Sequence, residues 1–277
     1  MGYHRPADLD RALEALARGG RAVLAGGTDL YPATDRPALA GDIVDITAVA
    51  ALRGVTRTGE GWRIGAATRW SELIAAIESM GVPPAFEALK QAASEVGSVQ
   101  IQNAGTVGGN LCNASPAADG VPPLLVLDAE VELRSVRGVR RMKLAAFLHG
   151  VRRTALAPDE LMTAVLVPAA AGAGRSRFLK LGARKYLVIS IAMVAARIEV
   201  DAGVVTGAAL AVGACSAVAT RLPGIEAALI GRPLDQAAGA IDDNAVAALL
   251  SPIDDLRADA AYRARAAAGL LRRAVAP

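Results

Sequence analysis

The chain has 277 residues, of which 53% are apolar, and its 30 Lys and Arg against 27 Asp and Glu give a formal charge of +3. That apolar fraction excludes a mainly disordered chain, and the length suffices for a substantial core in more than one lobe. The basic excess is too small and too evenly spread for a nucleic-acid surface, and aromatic residues, at 3%, are too few for base stacking.

Residues 1–54 read as a first α/β lobe. Met1-Gly2-Tyr3-His4-Arg5-Pro6 lacks the apolar core of a signal peptide, so the default compartment is the cytoplasm. Asp8 caps a helix whose Leu9, Leu13 and Leu16 fall at helical spacing, and Gly19-Gly20 ends it. Arg21-Ala22-Val23-Leu24-Ala25 is a short buried strand broken by Gly26-Gly27, and Ile43-Val44-Asp45-Ile46 is a second strand.

A second lobe covers 55–170. It holds a strand at 62–66, a helix over 71–80 with Ser71 as its cap, and a helix over 87–96. A Gly-rich segment at 103–113 follows, then strands at 124–133 and 161–167. Residues 169–175, Ala-Ala-Ala-Gly-Ala-Gly-Arg, are small and aperiodic, as in a linker or mobile loop.

A last unit covers 171–277. Arg197–Val200 and Val204–Val212 form a hairpin, and a final helix spans 255–274. The stretch 202–220 is uncharged and long enough to raise the question of a membrane span. Its Gly and Ala content, Thr206, Ser216 and the preceding Asp201-Ala202-Gly203 turn signal make it buried strand instead. Cys112 and Cys215 are the two cysteines, too few for a disulfide scaffold or for an iron–sulfur cluster held by this chain alone.

Two segments carry candidate chemistry: Ala25-Gly26-Gly27-Thr28-Asp29-Leu30 and Thr106-Val107-Gly108-Gly109-Asn110-Leu111. Paired glycines let backbone N–H groups approach an anion, and Thr28, Thr106 and Asn110 add short polar side chains. Converging, the two would cradle a pyrophosphate; read blandly, they are two tight turns with no ligand. There is no G-x-x-x-x-G-K-[ST] for a P-loop, and Gly105-Thr106-Val107-Gly108-Gly109 does not give the dinucleotide motif G-x-G-x-x-G.

These segments resemble the two FAD loops of the flavin subunit of the molybdenum hydroxylases, the group of xanthine dehydrogenase, aldehyde oxidoreductase and aerobic carbon monoxide dehydrogenase. Ala114-Ser115-Pro116-Ala117-Ala118-Asp119 continues the second loop. Phe178 to Lys185 is similar to the strand that opens the family's C-terminal domain, and Asp255 to Arg263 to its final helix. Four elements in order cover nearly the whole chain.

The resemblance implies an α+β architecture: an FAD-binding fold of the vanillyl-alcohol-oxidase (PCMH) type in two α/β lobes, then a C-terminal domain with a small antiparallel sheet and helices. It implies non-covalent FAD, since His4 and His149 lie outside the loop motifs. It also implies a small partner chain with [2Fe-2S] clusters and a large one with the molybdenum cofactor, assembled as a dimer of heterotrimers. Electrons would pass through FAD to NAD, a quinone or oxygen while the large subunit hydroxylates its substrate. No catalytic side chain, metal ligand or membrane span is expected in this chain. The first loop reads Gly-Thr-Asp where carbon monoxide dehydrogenases more typically have Gly-His-Ser, which favours a purine, aldehyde or heteroaromatic substrate, xanthine foremost. No cysteine-bearing insert like that of 4-hydroxybenzoyl-CoA reductase is present.

By the same resemblance, Val23, Leu24, Ala25, Gly26, Gly27, Thr28, Asp29 and Leu30 line the cofactor, with backbone groups of 25–29 on its phosphates. Thr106, Val107, Gly108, Gly109 and Asn110 hold the other side of the pyrophosphate and the ribityl chain. Asp29 also suits a cap for the turn that follows it. Asp119 matches an acidic position that accepts hydroxyl hydrogen bonds, or else forms the turn before Gly120. Lys180 matches a flavin contact, where a cation favours negative charge on the ring, or is a solvated strand lysine. Met162 falls at an apolar position beside the flavin, and Tyr186 could stack on its ring. Cys112 reads as a small buried residue, and Arg152-Arg153 and Arg184-Lys185 as surface charge or subunit contact. A stand-alone flavin oxidoreductase of the same fold and a flavin-free interaction subunit remain open alternatives.

Overall fold

In the computed structural model, which describes residues 2–36 and 38–277, the strands fall into three larger sheets and a two-stranded one. The Asp8 carboxylate accepts the Arg11 N–H at 2.9 Å and starts the helix Leu9–Ala17, which buries Ala12, Leu13 and Leu16. Beside it lies a parallel three-stranded sheet in the order Tyr3–His4, Asp42–Asp45, Arg21–Leu24, with Leu24 opposite Asp45. Its small core joins those helix residues to Val44, Ile46, Val49 and Leu52, and borrows Ala67 and Leu161 from the next unit.

The second sheet is antiparallel and five-stranded, in the order Val55–Thr58, Gly61–Gly65, Leu161–Pro168, Glu130–Ser135, Gly138–Lys143. Its central strand is buried along almost its whole length, and Val165 stands opposite both Ile64 and Val131. Trp70–Ser79, Glu87–Glu95, Val107–Asn113 and Val121–Val126 supply helices to its core, where Leu73, Leu89, Leu111 and Leu124 are fully buried.

Several expectations need correction here. The expected strand over 124–133 splits: Val121–Val126 is a helix, Asp128 turns the chain at φ +50°, and the strand is Glu130–Ser135. Pro122 and Pro123 occupy the first helical turn, where a missing N–H costs nothing, so an apolar run that suits a buried strand folds as a buried helix. The 71–80 helix starts one residue earlier, capped by Arg69 with Glu72 accepting the Arg69 N–H at 3.0 Å, so Ser71 lies inside it. Residues 169–175 are no loose linker: a 3-10 turn, Ala169–Gly172, buries Ala171, and a strand begins at Arg175.

The third sheet runs Arg175–Leu181, Ala192–Asp201, Val204–Gly213, Thr220–Arg221, all antiparallel. Met193, Ala195, Ala209 and Ala211 face the second-sheet core, whereas Val194, Ala196, Leu210 and Val212 face a separate core closed by Ala267, Leu271 and Val275. Successive side chains of a strand point to opposite faces, and both faces here are covered, which explains the uncharged run through Val204–Gly213; the buried strand expected over 202–220 ends there, and bends at 214–218 lead to the short strand Thr220–Arg221. No helix among the described residues is long and apolar enough to cross a membrane. The final helix is Ala260–Val275, capped by Asp259 at the Tyr262 N–H (2.6 Å). It starts later than expected because Asp255 folds 255–258 into a closed turn, accepting the Arg257 N–H at 2.8 Å.

Candidate functional site

The first Gly-rich loop leaves the carboxyl end of the Arg21–Leu24 strand, the end at which parallel sheets hold ligands. Gly27 turns it at φ +70°, and the Tyr31 N–H closes the turn on the Gly27 carbonyl at 3.1 Å. The N–H groups of Gly26, Gly27, Thr28, Asp29 and Leu30 meet no acceptor among the described residues. They form a row of half-buried or exposed donors.

The two Gly-rich segments converge. A Cβ on Gly26 would stand 2.1 Å from the Ala104 carbonyl oxygen and 2.8 Å from the Gly105 Cα, so here backbone rests on backbone. The second segment departs from the expected loop. Thr106 accepts the Gly109 N–H on Oγ1 at 3.1 Å and opens the short helix Val107–Asn113, with Gly108 and Gly109 in its first turn. The Val107 and Gly108 N–H groups donate to Thr68 and Ala66 carbonyls (3.0 and 2.8 Å), and that of Asn110 to the Thr106 carbonyl (3.0 Å). This segment therefore has few backbone donors to spare. What it offers is a close, side-chain-free surface and the Asn110 amide, whose Oδ1 is buried without a hydrogen-bond partner.

Between the segments lies a cleft of about 770 Å³, within the usual range for a small-molecule or cofactor site. Of the residues singled out from the sequence, Val23, Ala25, Gly26, Gly27, Thr28, Asp29, Leu30, Thr106, Gly108, Gly109, Asn110 and Met162 line it. Leu24 and Val107 are buried behind the lining. Ile46, Trp70, Ile101, Leu156, Leu161 and Ile189 add apolar wall that sequence reasoning missed, because each reads as ordinary core or loop.

Asp119 and Lys180 do not reach the lining either. They pair with each other, the Lys180 Nζ 3.0 Å from Asp119 Oδ1, with side chains 5% and 11% exposed. The Lys180 ammonium also donates to the Glu95 carbonyl at 3.4 Å, and the Ser190 hydroxyl to Asp119 at 3.5 Å. Each contact is one residue from a lining position: Val96, Ala118 and Ile189. Burial pushes the Asp119 carboxyl up to about 6, against the pull of the Lys180 charge.

At the mouth, Asp29 Oδ1 accepts from the Asn113 amide at 2.7 Å, and Asn113 Oδ1 accepts from the Arg152 guanidinium. Asp29 is therefore a cross-cleft partner and not the cap of its own turn. Arg152, at φ +57°, is exposed, as expected of surface charge, and lines the cleft as well. Tyr186 is 60% exposed and off the lining, with the Lys185 ammonium 5.2 Å from its ring centroid. Cys112 lines the cleft, and burial pushes its thiol up to about 12, which favours the protonated form. Exposed His149 contacts the Ala146 carbonyl at 3.1 Å, away from the cleft.

Comparison with known proteins gives matches along nearly the whole chain. Residues 1–170 match a family described as the FAD binding domain in molybdopterin dehydrogenase, and residues 177–277 the CO dehydrogenase flavoprotein C-terminal domain. The nicotinate dehydrogenase FAD-subunit of Eubacterium barkeri is 39% identical over 77% of this chain and 73% of its own length. The xanthine dehydrogenase FAD-binding subunit of Escherichia coli O157:H7 is 40% identical over 60% of this chain and 57% of its own length. Among solved structures, a chain of the carbon monoxide dehydrogenase of Hydrogenophaga pseudoflava superposes with a TM-score of 0.90 at 29% identity, covering 99% of this chain and 96% of that one.

Proposed function

The chain belongs to the FAD-carrying subunits of the molybdenum hydroxylase family, and from that premise we propose that it relays electrons between partner chains and an external acceptor. The electrons come from [2Fe-2S] clusters of a small subunit and leave to NAD, a quinone or oxygen. A large molybdenum subunit hydroxylates a purine, aldehyde or heteroaromatic substrate. The Gly-Thr-Asp loop supports that substrate class, as do the nicotinate and xanthine dehydrogenase relatives, 39% and 40% identical over 77% and 60% of the chain. Two cysteines in all support placing the clusters in another chain.

The cleft suits FAD on its own chemistry. The observation that carries the reading is the row of N–H groups at Gly26 to Leu30, which meet no acceptor among the described residues, in a cleft that Asn110, with its buried and unpartnered Oδ1, also lines. The N–H row binds the diphosphate, and Asn110 accepts from a hydroxyl or ring N–H. Met162, Leu161 and Ile189 offer an apolar wall to a flat ring and exclude water from it. Bound FAD supplies redox chemistry that these side chains lack, taking electrons singly and releasing them in pairs. Lys180, one layer behind, biases that part of the wall toward negative charge, and Asp119 tempers the bias. The three units 1–54, 55–170 and 171–277 are proposed as the folding divisions, each with its own larger sheet.

Purification of the chain, with FAD titration followed between about 350 and 500 nm, tests the reading, together with a search for co-purifying chains. A flavin spectrum, a small iron–sulfur chain and a large molybdenum chain are expected. A folded chain that takes up no FAD refutes the cleft assignment. Reduction of a substrate by the isolated flavoprotein favours a stand-alone oxidoreductase.

A further inference from the structure

Arg263 lies on the final helix and is 3% exposed. Its Nη1 donates to the Ile191 carbonyl at 2.7 Å and to the Ala214 carbonyl at 3.3 Å, and its Nη2 pairs with Asp255 at 2.7 Å. Its Nε is buried without a partner. A buried arginine with an idle donor is a poor stabilising device, since apolar side chains of similar volume commonly do as well. The two carbonyls it holds therefore matter.

Ile191 closes the base of the 182–190 loop, its N–H donating to the Leu181 carbonyl at 2.8 Å. That loop places Ile189 in the cleft lining and Ser190, 2% exposed, against Asp119. Lys180, the partner of Asp119, precedes the same loop. Ala214, at φ +62°, donates its N–H to the Pro116 carbonyl at 2.9 Å, between the lining residues Ser115 and Ala117. One guanidinium thus grips the two backbone points that stand immediately behind two walls of the cleft.

We propose that Arg263, fixed by Asp255, is a positioning residue for the flavin: it sets the spacing between the Ile189–Ser190 wall and the Ser115–Ala117 wall, and through Ser190 the placement of the Asp119–Lys180 pair. This rests on the reading that FAD occupies the cleft. Arg263 touches neither the cleft nor the cofactor. Its effect is carried by Ile191 and Ala214, and Asp255 holds the guanidinium in the orientation that reaches both.

The test uses the full-length chain stripped of FAD, titrated with FAD by flavin fluorescence, with the visible absorption band of the bound flavin recorded as well. Arg263→Met, which keeps the volume, should weaken FAD binding about tenfold, the cost of losing charge-assisted hydrogen bonds, and should alter the band shape. Arg263→Lys, which keeps a cation within reach of a carbonyl, should restore most of the affinity and the native band. Adding Arg263→Met to Ser190→Ala should cost less than it does alone, since both act on Asp119. A folded Arg263→Met chain with native affinity and band overturns the proposal, as does Arg263→Lys performing no better than Arg263→Met. If Arg263→Met does not fold, Asp255→Asn carries the test: weakened binding with an altered band supports the proposal, and a native band and affinity overturn it. A native chain that binds no FAD refutes the cleft reading instead.

Discussion

Substitution of Gly26 by Ala is the sharpest perturbation of the cleft. Its φ lies outside the left-handed region, so the backbone conformation itself tolerates a side chain and the whole effect is steric. The new Cβ would stand 2.1 Å from the Ala104 carbonyl oxygen, with backbone on both sides and no side chain able to rotate away. An ordinary contact needs about 3.4 Å, so the two segments must part by roughly 1 Å. Overpacking of this kind costs about 1–3 kcal/mol, and a contact with rigid backbone belongs at the upper end. Parting the segments moves the N–H row away from Asn110, so the cost falls on cofactor binding, where about 3 kcal/mol is a factor of roughly 150 in Kd. Equilibrium titration of the apo chain with FAD reads this, and thermal unfolding of the apo chain reports the part spent on stability. Gly269→Ala is the control, since a Cβ there meets nothing within 4 Å in the middle of a helix. It should raise stability by about 0.5–1 kcal/mol and leave FAD affinity alone. A folded Gly26→Ala chain whose Kd stays within about threefold of native refutes the converging-segment account.

Three further outcomes follow from buried polar groups. Asn110→Leu removes an unpartnered carbonyl oxygen, so the apo chain should gain about 1 kcal/mol while FAD affinity falls; opposite signs in unfolding and titration are the signature, and equal signs reject it. Asp119 has its carboxyl raised to about 6, so its contribution to stability is complete below the unfolded value near about 4 and is lost as pH rises through about 6. The difference between the native and Asp119→Asn melting profiles should therefore change over that window, and a flat difference contradicts the assignment. Lys180→Met strands a buried carboxylate and should cost about 3–5 kcal/mol at neutral pH in denaturant unfolding, most of it recovered by Lys180→Met with Asp119→Leu. An exposed, unpaired Lys180 would show no such loss.

Much of the fold was legible in local signals. Asp8 announces the first helix, and the uncharged run after Gly203 reflects a strand, Val204–Gly213, covered on both faces. Where the reading failed, tertiary context decided. Val121–Val126 is an apolar run whose periodicity cannot separate strand from helix, and its two prolines were the overlooked clue. The cleft was legible where glycine leaves its mark, at Gly26, Gly27, Gly108 and Gly109. It was illegible at Trp70, Ile101 and Ile189, whose apolar side chains carry no local sign of facing a cavity. Arg152 was hidden for another reason: only the folded chain brings it to Asn113, 39 residues earlier, and Asn113 to Asp29, a further 84. The mutual pairing of Asp119 and Lys180 likewise spans 61 residues, so sequence could nominate each but not the bond between them.

The amino-terminal unit has a consequence for the life of the protein before assembly. Its few buried residues include two, Ala67 and Leu161, lent by the neighbouring unit across the rim of the cleft. A newly made chain starved of flavin would hold this segment on its own small core, that loan and a few backbone contacts, and proteases should nick its first fifty or so residues before the rest. Limited digestion with and without FAD would reveal whether vitamin supply, more than folding, sets how long unassembled chains survive.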